Sequence, residues 1–189
     1  MSPDDPLIGP GALIAVVGPS GAGKDTLIEY CRRMFAGDAR VVFPTRVISR
    51  APHHSEAHVP ATVDAFESGA ARDGYALSWA AHDLLYALPR AIDDDIRAGR
   101  VVVANLSRAA LPAARCRYAR IVVVHVDAPI PLRAARLAGR GREAEHEIAS
   151  RMARTVETFD PASADAAIVN DGTIEDAGDR LAALIQTAL

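Results

Sequence analysis

The sequence predicts an α/β fold with a parallel core sheet, and three observations carry that prediction. Three predominantly apolar runs, Ala12–Val17, Val101–Asn105 and Ile121–Val126, have the length and composition of strands buried on both faces. Apolar residues at helical spacing fill stretches between them, so strands alternate with helices. A glycine-rich turn, Gly18–Gly23, leads from the first strand directly into a helix.

Taken in order, residues 1–11 hold Pro3, Pro6 and Pro10 and are expected to form a flexible leader. After the glycine-rich turn, Leu27, Ile28, Cys31, Met34 and Phe35 recur at helical spacing, and Gly37 ends the helix. Val41–Ile48 is predicted as the second strand and the polar stretch Ser49–Pro60 as a loop. Thr62–Ala71 is a short helix around Val63 and Phe66. Tyr75–Trp79 alternates like a strand, and Leu84–Leu88 carries a weaker strand signal. Pro89 suits the first turn of a helix bearing Ile92 and Ile96, which Gly99 would stop. Leu111–Tyr118 and Leu132–Ala138 are helical, and the latter is followed by the break GRGRE. Ile148, Met152 and Val156 mark another helix. Ala166–Val169 is a short strand, and Ile174–Leu189 is an amphipathic helix with Ala177, Leu181, Leu184 and Ile185 on one face. The stretch from about 49 to 88 interrupts the strand–helix rhythm and is the candidate for an inserted substrate-binding region.

Composition narrows the function. A chain of 189 residues, half of them hydrophobic, is long enough for one domain with a sizeable core. Its net charge of −3 argues against a general nucleic-acid binder, and 5% aromatic residues argue against base-stacking platforms. No apolar run reaches the roughly 18–20 residues that span a bilayer, so no membrane partner is expected. The residues before the first apolar stretch are acidic, unlike a secretory signal. Cys31 and Cys116 have no metal-like spacing and are expected to be reduced thiols of a cytoplasmic protein. Lys24 is the only lysine among 21 basic residues, the rest being arginine. A position that keeps lysine against that bias is expected to need a compact ammonium.

That lysine lies in GPSGAGKDT, comprising Gly18, Pro19, Ser20, Gly21, Ala22, Gly23, Lys24, Asp25 and Thr26. A strand before it and a helix after it are the context that the phosphate-binding pattern G-x-x-x-x-G-K requires. Glycines let the backbone curl so that several N–H groups meet one phosphate, and the helix N-terminus adds partial positive charge. Lys24 is the candidate to neutralise the β- and γ-phosphates of ATP. Asp25 stands where a Ser or Thr hydroxyl normally faces Mg²⁺. Either it meets Mg²⁺ directly or through water, or it is a first-turn carboxylate and Thr26 supports the metal. The neighbouring strand ends in Asn105, so the usual strand-end acid is missing there.

Arg133, Arg136, Arg140, Arg142, Arg151 and Arg154 crowd one region. Arg140, Arg142 and Arg151 are the candidates to close over a transferring phosphoryl group; Arg133 and Arg154 are assigned to the surface. Arg46 and Arg50, four residues apart, are candidates to bind an anionic acceptor through bidentate contacts. Ser49, Glu56, Ser78 and Tyr86 are nearby polar candidates. His53, His54 and His58 make a poor metal set.

Together these residues resemble the guanylate kinase-like branch of the nucleoside monophosphate kinase fold. GPSGAGKDT resembles its phosphate loop, RLAGRGREAEHEIASRMAR its lid, and IVNDG (Ile168–Gly172) its late strand and turn. More closely, the chain resembles the ribose 1,5-bisphosphate phosphokinase family of bacterial phosphonate breakdown. That likeness rests on Asp25 of GKD, RVISR (Arg46–Arg50), ALSWAAHDLLYALP (Ala76–Pro89) and VVVANLSRAALPAAR (Val101–Arg115). The family pattern has glycine where Asp83 and Ala87 stand. The resemblance implies a P-loop NTPase fold, a parallel sheet flanked by helices, with an acceptor-binding insert at about 49–88 and a lid at about 139–147, all within one kinase domain over 12–189. It further implies ATP and Mg²⁺ as cofactors, Arg108 as a further member of the acceptor-binding set, and a small sugar phosphate as the partner in an ATP-dependent synthesis of 5-phosphoribosyl 1-diphosphate. A homodimer is compatible with this reading. A guanylate or other nucleoside monophosphate kinase and a non-catalytic binding module of the same fold stay open as alternatives.

Overall fold

The computed structural model describes residues 6–51, 58–81, 83–139 and 159–189. Five parallel strands form the main sheet: β1 (Ala12–Val17), β2 (Val41–Val42), β7 (Val101–Asn105), β8 (Ile121–Asp127) and β9 (Ala166–Val169), in the order β2-β7-β1-β8-β9. The connections leaving β1 and β8 run to opposite edges of this sheet. Such a reversal opens a crevice at the carboxyl ends of the strands, where ligands of open α/β sheets bind.

β1 is buried on both faces because its alternate residues enter two different cores. Ala12, Ile14 and Val16 pack with Leu27, Ile28 and Cys31 of α1 (Lys24–Met34) and with Leu181 and Ile185 of α6 (Ile174–Ala188). Leu13, Ala15 and Val17 pack with Ile92 and Ile96 of α3 (Ile92–Arg97) and Leu111 and Ala114 of α4 (Leu111–Arg115). α5 (Ile130–Ala138) follows β8.

A second, four-stranded sheet covers residues 46–89. Its strands β3 (Arg46–Ile48), β4 (His58–Pro60), β5 (Tyr75–Ala81) and β6 (Leu84–Pro89) lie in the order β4-β3-β6-β5, with α2 (Val63–Ala71) between β4 and β5. Thr62 caps α2, its Oγ1 accepting from the Ala65 N–H at 3.1 Å.

Several expectations need correction. Val41–Ile48 is not one strand: Phe43, Pro44 and Thr45 interrupt it, and its halves serve different sheets. Proline cannot donate to a ladder, so a strand breaks readily there. Pro89 ends β6 opposite Tyr75 and is not the start of a helix. His58–Pro60 forms a short strand inside the expected loop. Met34, one of the apolar residues at helical spacing in α1, does not join the core and is 53% exposed. The leader is pinned from Ile8 onward: the Ile8 N–H donates to the Arg117 carbonyl and the Ala119 N–H to the Ile8 carbonyl, each at 2.9 Å. Asp83 has a φ of 58°, a left-handed conformation that Asp tolerates and that explains a glycine in the family pattern. Ala87, the other position with glycine in the family pattern, is fully buried within β6 between Val47 and Ser78.

One fully buried carboxylate lies toward the amino end of the main sheet. Asp93 accepts from Arg117 Nε at 3.0 Å, from Arg117 Nη2 and from the Tyr118 hydroxyl at 2.8 Å, and forms an ion pair with Arg90 Nε at 3.0 Å. Burial alone would raise its carboxyl pKa, but the bonds from Arg117 and Tyr118 and the nearby arginine charges outweigh that and hold it below the usual range.

Candidate functional site

The loop after β1 lies at the carboxyl end of the main sheet. Gly18 has a φ of 142°, and a Cβ there would lie 1.9 Å from the Val126 carbonyl oxygen, so only glycine lets the loop turn against β8. Gly23 is the N-cap of α1 with a φ of 92°, and a Cβ on it would meet Asn170 Nδ2 at 2.3 Å. Glycine offers no capping oxygen, so no side chain caps α1, whereas Thr62 and Thr173 cap α2 and α6. The first-turn N–H groups of α1 therefore face the loop with their partial positive charge uncompensated by a cap. Lys24 arches back over the loop, its ammonium donating to the carbonyls of Gly18 and Pro19 at 2.9 Å each.

Behind the loop, Asn170 Nδ2 donates to the Ala22 carbonyl at 2.8 Å, and Arg136 Nη1 reaches the same oxygen at 3.4 Å. In a trans peptide the C=O and N–H point in opposite directions. Holding the Ala22 carbonyl on these two donors thus turns the Gly23 N–H away from them. Arg133 Nε donates to the Ser20 carbonyl at 3.2 Å, and its side chain is only 11% exposed. The assignment of Arg133 to the surface is therefore overturned: its guanidinium braces the phosphate loop.

Asp25 has contacts that neither sequence reading anticipated. Its Oδ1 accepts from Arg46 Nη2 at 2.9 Å and from Asn105 Nδ2 at 2.7 Å. Arg46 Nη1 also reaches the Asn105 carbonyl at 3.5 Å, and the guanidinium lies 5.9 Å from the Tyr86 ring centroid. Tyr86 stacks on Trp79 across β5 and β6, with centroids 5.8 Å apart. Strand register puts Ile48, Tyr86 and Trp79 on one face, and Arg46, two residues before Ile48, shares it. Ser78 neighbours Trp79 in β5 and points to the opposite face beside Ala87, so the structure does not bring it to Arg46 and Tyr86. The Ser49 hydroxyl accepts from the Leu85 N–H at 2.8 Å and fastens the exit of β3, just before Arg50.

Arg108 begins the 3₁₀ turn Arg108–Ala110, against which β5 packs, and its guanidinium lies 5.9 Å from the Phe159 ring centroid. Burial, helped by repulsion from Arg133, lowers its pKa; Asp127 acts in the opposite sense. Asp127, at the end of β8, is an acid that sequence reasoning missed. Its Oδ1 accepts from the Ala128 N–H at 2.8 Å and lies 3.7 Å from Arg133 Nη1. Its position after an apolar strand was the available signal. His125 is buried beside Phe159, and burial, with the charges of Arg108 and Lys24, lowers its pKa against the pull of Asp127. Arg140, Arg142, Arg151, Arg154, Glu56, His53 and His54 lie outside the described residues. Among the described residues no helix is long and apolar enough to cross a membrane.

A loop that gathers backbone N–H groups and one ammonium, facing a sheet that presents an arginine over a tyrosine ring, suits the transfer of a phosphoryl group between two anions. No family model matches the chain. Among curated proteins it is similar to the protein named ribose 1,5-bisphosphate phosphokinase PhnN of Rhodopseudomonas palustris, 46% identical over 176 residues that cover 93% of this chain and 86% of that one. The protein of the same name from Pseudofrankia inefficax is 47% identical over 184 residues, covering 96% and 94%. Among solved structures, the guanylate kinase of Anaplasma phagocytophilum matches with a TM-score of 0.66 at 18% identity, over 96% of this chain and 87% of that chain. The fold is guanylate kinase-like.

Proposed function

The chain belongs to the ribose 1,5-bisphosphate phosphokinase family, and we propose that it transfers the γ-phosphoryl group of ATP to the 1-phosphate of ribose 1,5-bisphosphate. The products are ADP and 5-phosphoribosyl 1-diphosphate. The observation that supports this reading best is the pairing of the Lys24-bearing phosphate loop with Arg46 on the second sheet, joined through Asp25.

The attacking oxygen belongs to a phosphate already ionised at neutral pH. It forms a bond to the γ-phosphorus as the bridging oxygen departs with ADP. No general base is required, and catalysis is positioning and charge neutralisation. The first-turn N–H groups of α1 and Lys24 take the donor phosphates. Arg46 and Arg50 take the acceptor phosphates, beside Tyr86. Arg108, on the turn that β5 packs against, adds positive charge between the two sheets. Arg140, Arg142 and Arg151 are the cations assigned to close over the transferring group.

The oxygen donors present fit Mg²⁺, which favours carboxylate and water ligands: the carboxylate of Asp127, at the end of β8, would hold it, whereas Asp25 Oδ1 is taken by Arg46 and Asn105. When bound, Mg²⁺ would supply positive charge to offset the negative charge developing on the donor phosphates. Residues 12–189 act as one kinase domain in this reading, with 49–88 as the acceptor region and 139–147 as the lid. A cytoplasmic location and a place in phosphonate breakdown or 5-phosphoribosyl 1-diphosphate supply belong to the same proposal.

Turnover of ATP against ribose 1,5-bisphosphate, GMP and dGMP in parallel tests it. Turnover with the sugar bisphosphate alone is the expected result. Robust phosphorylation of GMP with none of the sugar bisphosphate would overturn it in favour of a guanylate kinase.

A further inference from the structure

We propose that Asp25 is a positioning residue for the acceptor: it orients Arg46 against the phosphate loop and thereby couples the acceptor sheet to the donor site. The inference rests on the ribose 1,5-bisphosphate reading above.

In the general scheme of P-loop enzymes a hydroxyl follows the loop lysine, and an acid ends a neighbouring strand. Here both positions next to the loop differ from that scheme. A carboxylate follows Lys24, and a carboxamide, Asn105, ends β7 beside it, the two side chains bonded at 2.7 Å. The same Asp25 oxygen takes Arg46 Nη2 at 2.9 Å. One oxygen thus joins α1, β7 and β3, elements that belong to the main sheet layer and to the acceptor sheet.

Three consequences follow for Arg46. Its side chain is 12% exposed and held from one side by Asp25 and the Asn105 carbonyl, with the Tyr86 ring on another. A guanidinium already fixed in one orientation loses less rotamer freedom when it binds a phosphate. The Asp25 charge, which would repel phosphates if it stood alone, is offset by its partner. Because Asp25 is the residue after Lys24, any shift of the loop on nucleotide binding reaches Arg46 through a single side chain.

The test uses the full chain and the variants D25N, D25S, N105D, R46A, D25N/R46A and D25S/N105D. KM for ribose 1,5-bisphosphate and for ATP is measured, with binding of ADP and Mg²⁺ followed by calorimetry and folding by thermal melting. D25N and D25S are expected to raise KM for the sugar bisphosphate about tenfold, with KM for ATP and ADP binding nearly unchanged. D25N/R46A should match R46A to within about twofold, since residues acting as a unit are not additive. The swap D25S/N105D, which returns the carboxylate to the strand end beside Arg46, should recover most of the acceptor KM. A D25N protein with parental acceptor KM and a changed Mg²⁺ requirement would overturn the inference and assign Asp25 to the metal. Unchanged values on both sides would make it a helix-start carboxylate only. A parent protein inert to ribose 1,5-bisphosphate sinks the family reading as well, whereas an active parent with an unaffected D25N sinks this inference alone.

Discussion

The two ends of the main sheet carry the same chemical unit, a carboxylate clamped by an arginine, and put it to different uses. At the amino end, Asp93 is fully buried and takes Arg117, Tyr118 and Arg90. At the carboxyl end, Asp25 is partly exposed and takes Arg46 and Asn105. Asp93 binds α3 to the segment before β8, where the leader is also pinned, so its partners stay fixed by the core. Asp25 joins elements of two sheets at the carboxyl end of the main sheet. Burial makes the first pair structural; exposure to the crevice leaves the second available for function.

The largest effect expected at the carboxyl end is that of Lys24→Ala, which should lower turnover roughly a thousandfold or more while the melting temperature holds. Lys24→Arg should be severely impaired too, because a planar fork does not replace a compact ammonium over the Gly18 and Pro19 carbonyls. Near-normal turnover of the arginine variant would break the functional half of the contrast.

At the amino end the effect should appear in folding instead. Asp93→Asn is expected to cost about 3–5 kcal/mol in denaturant unfolding, because it leaves buried arginine charge unpaired, with turnover per folded molecule unchanged. The folded-state pKa of Asp93 is held low, so its contribution is complete above the unfolded value of about 3.9 and is lost as pH falls through the folded value. The gap between parent and variant should therefore shrink in acid. A pH-independent gap would refute the ionic origin.

Arg50→Ala separates the acceptor sheet from the phosphate loop. KM for the sugar bisphosphate should rise roughly ten- to a hundredfold, with ATP binding little changed. The smallest effect should come from His125, whose pKa burial depresses. Its neutral form suits the folded state, so stability is full above the unfolded value of about 6.5 and declines as pH falls through the folded value. Thermal midpoints measured from neutral to mildly acidic pH should fall in the parent and flatten in His125→Gln.

The phosphate loop was legible in the sequence because its determinants are local. Gly18, Gly23 and Lys24 follow a buried strand and open a helix within nine residues, and backbone conformation there depends on little else. β1, β7, β8 and β9 were legible for the same reason, as apolar runs. The second sheet was legible in part: β5 and β6 carried strand signals over Tyr75–Trp79 and Leu84–Leu88, whereas His58–Pro60 was hidden in an expected loop. Period-two alternation placed Tyr86 with Trp79 and turned Ser78 away, a distinction that required the register of three strands.

What the sequence by itself determined is the order of elements, the donor loop and, with the family likeness, the reaction. Tertiary structure alone decided who partners whom. Asp25 lies 21 residues from Arg46 and 80 from Asn105, and Asn170 lies 148 residues from the Ala22 carbonyl it holds. Tertiary packing likewise drew Arg133 off the surface, split the Val41–Ile48 run between two sheets, and pinned Ile8 beside Tyr118. Local propensity and periodicity act over one or two turns of chain, whereas a charged side chain takes whichever partner the packed core brings within hydrogen-bond reach.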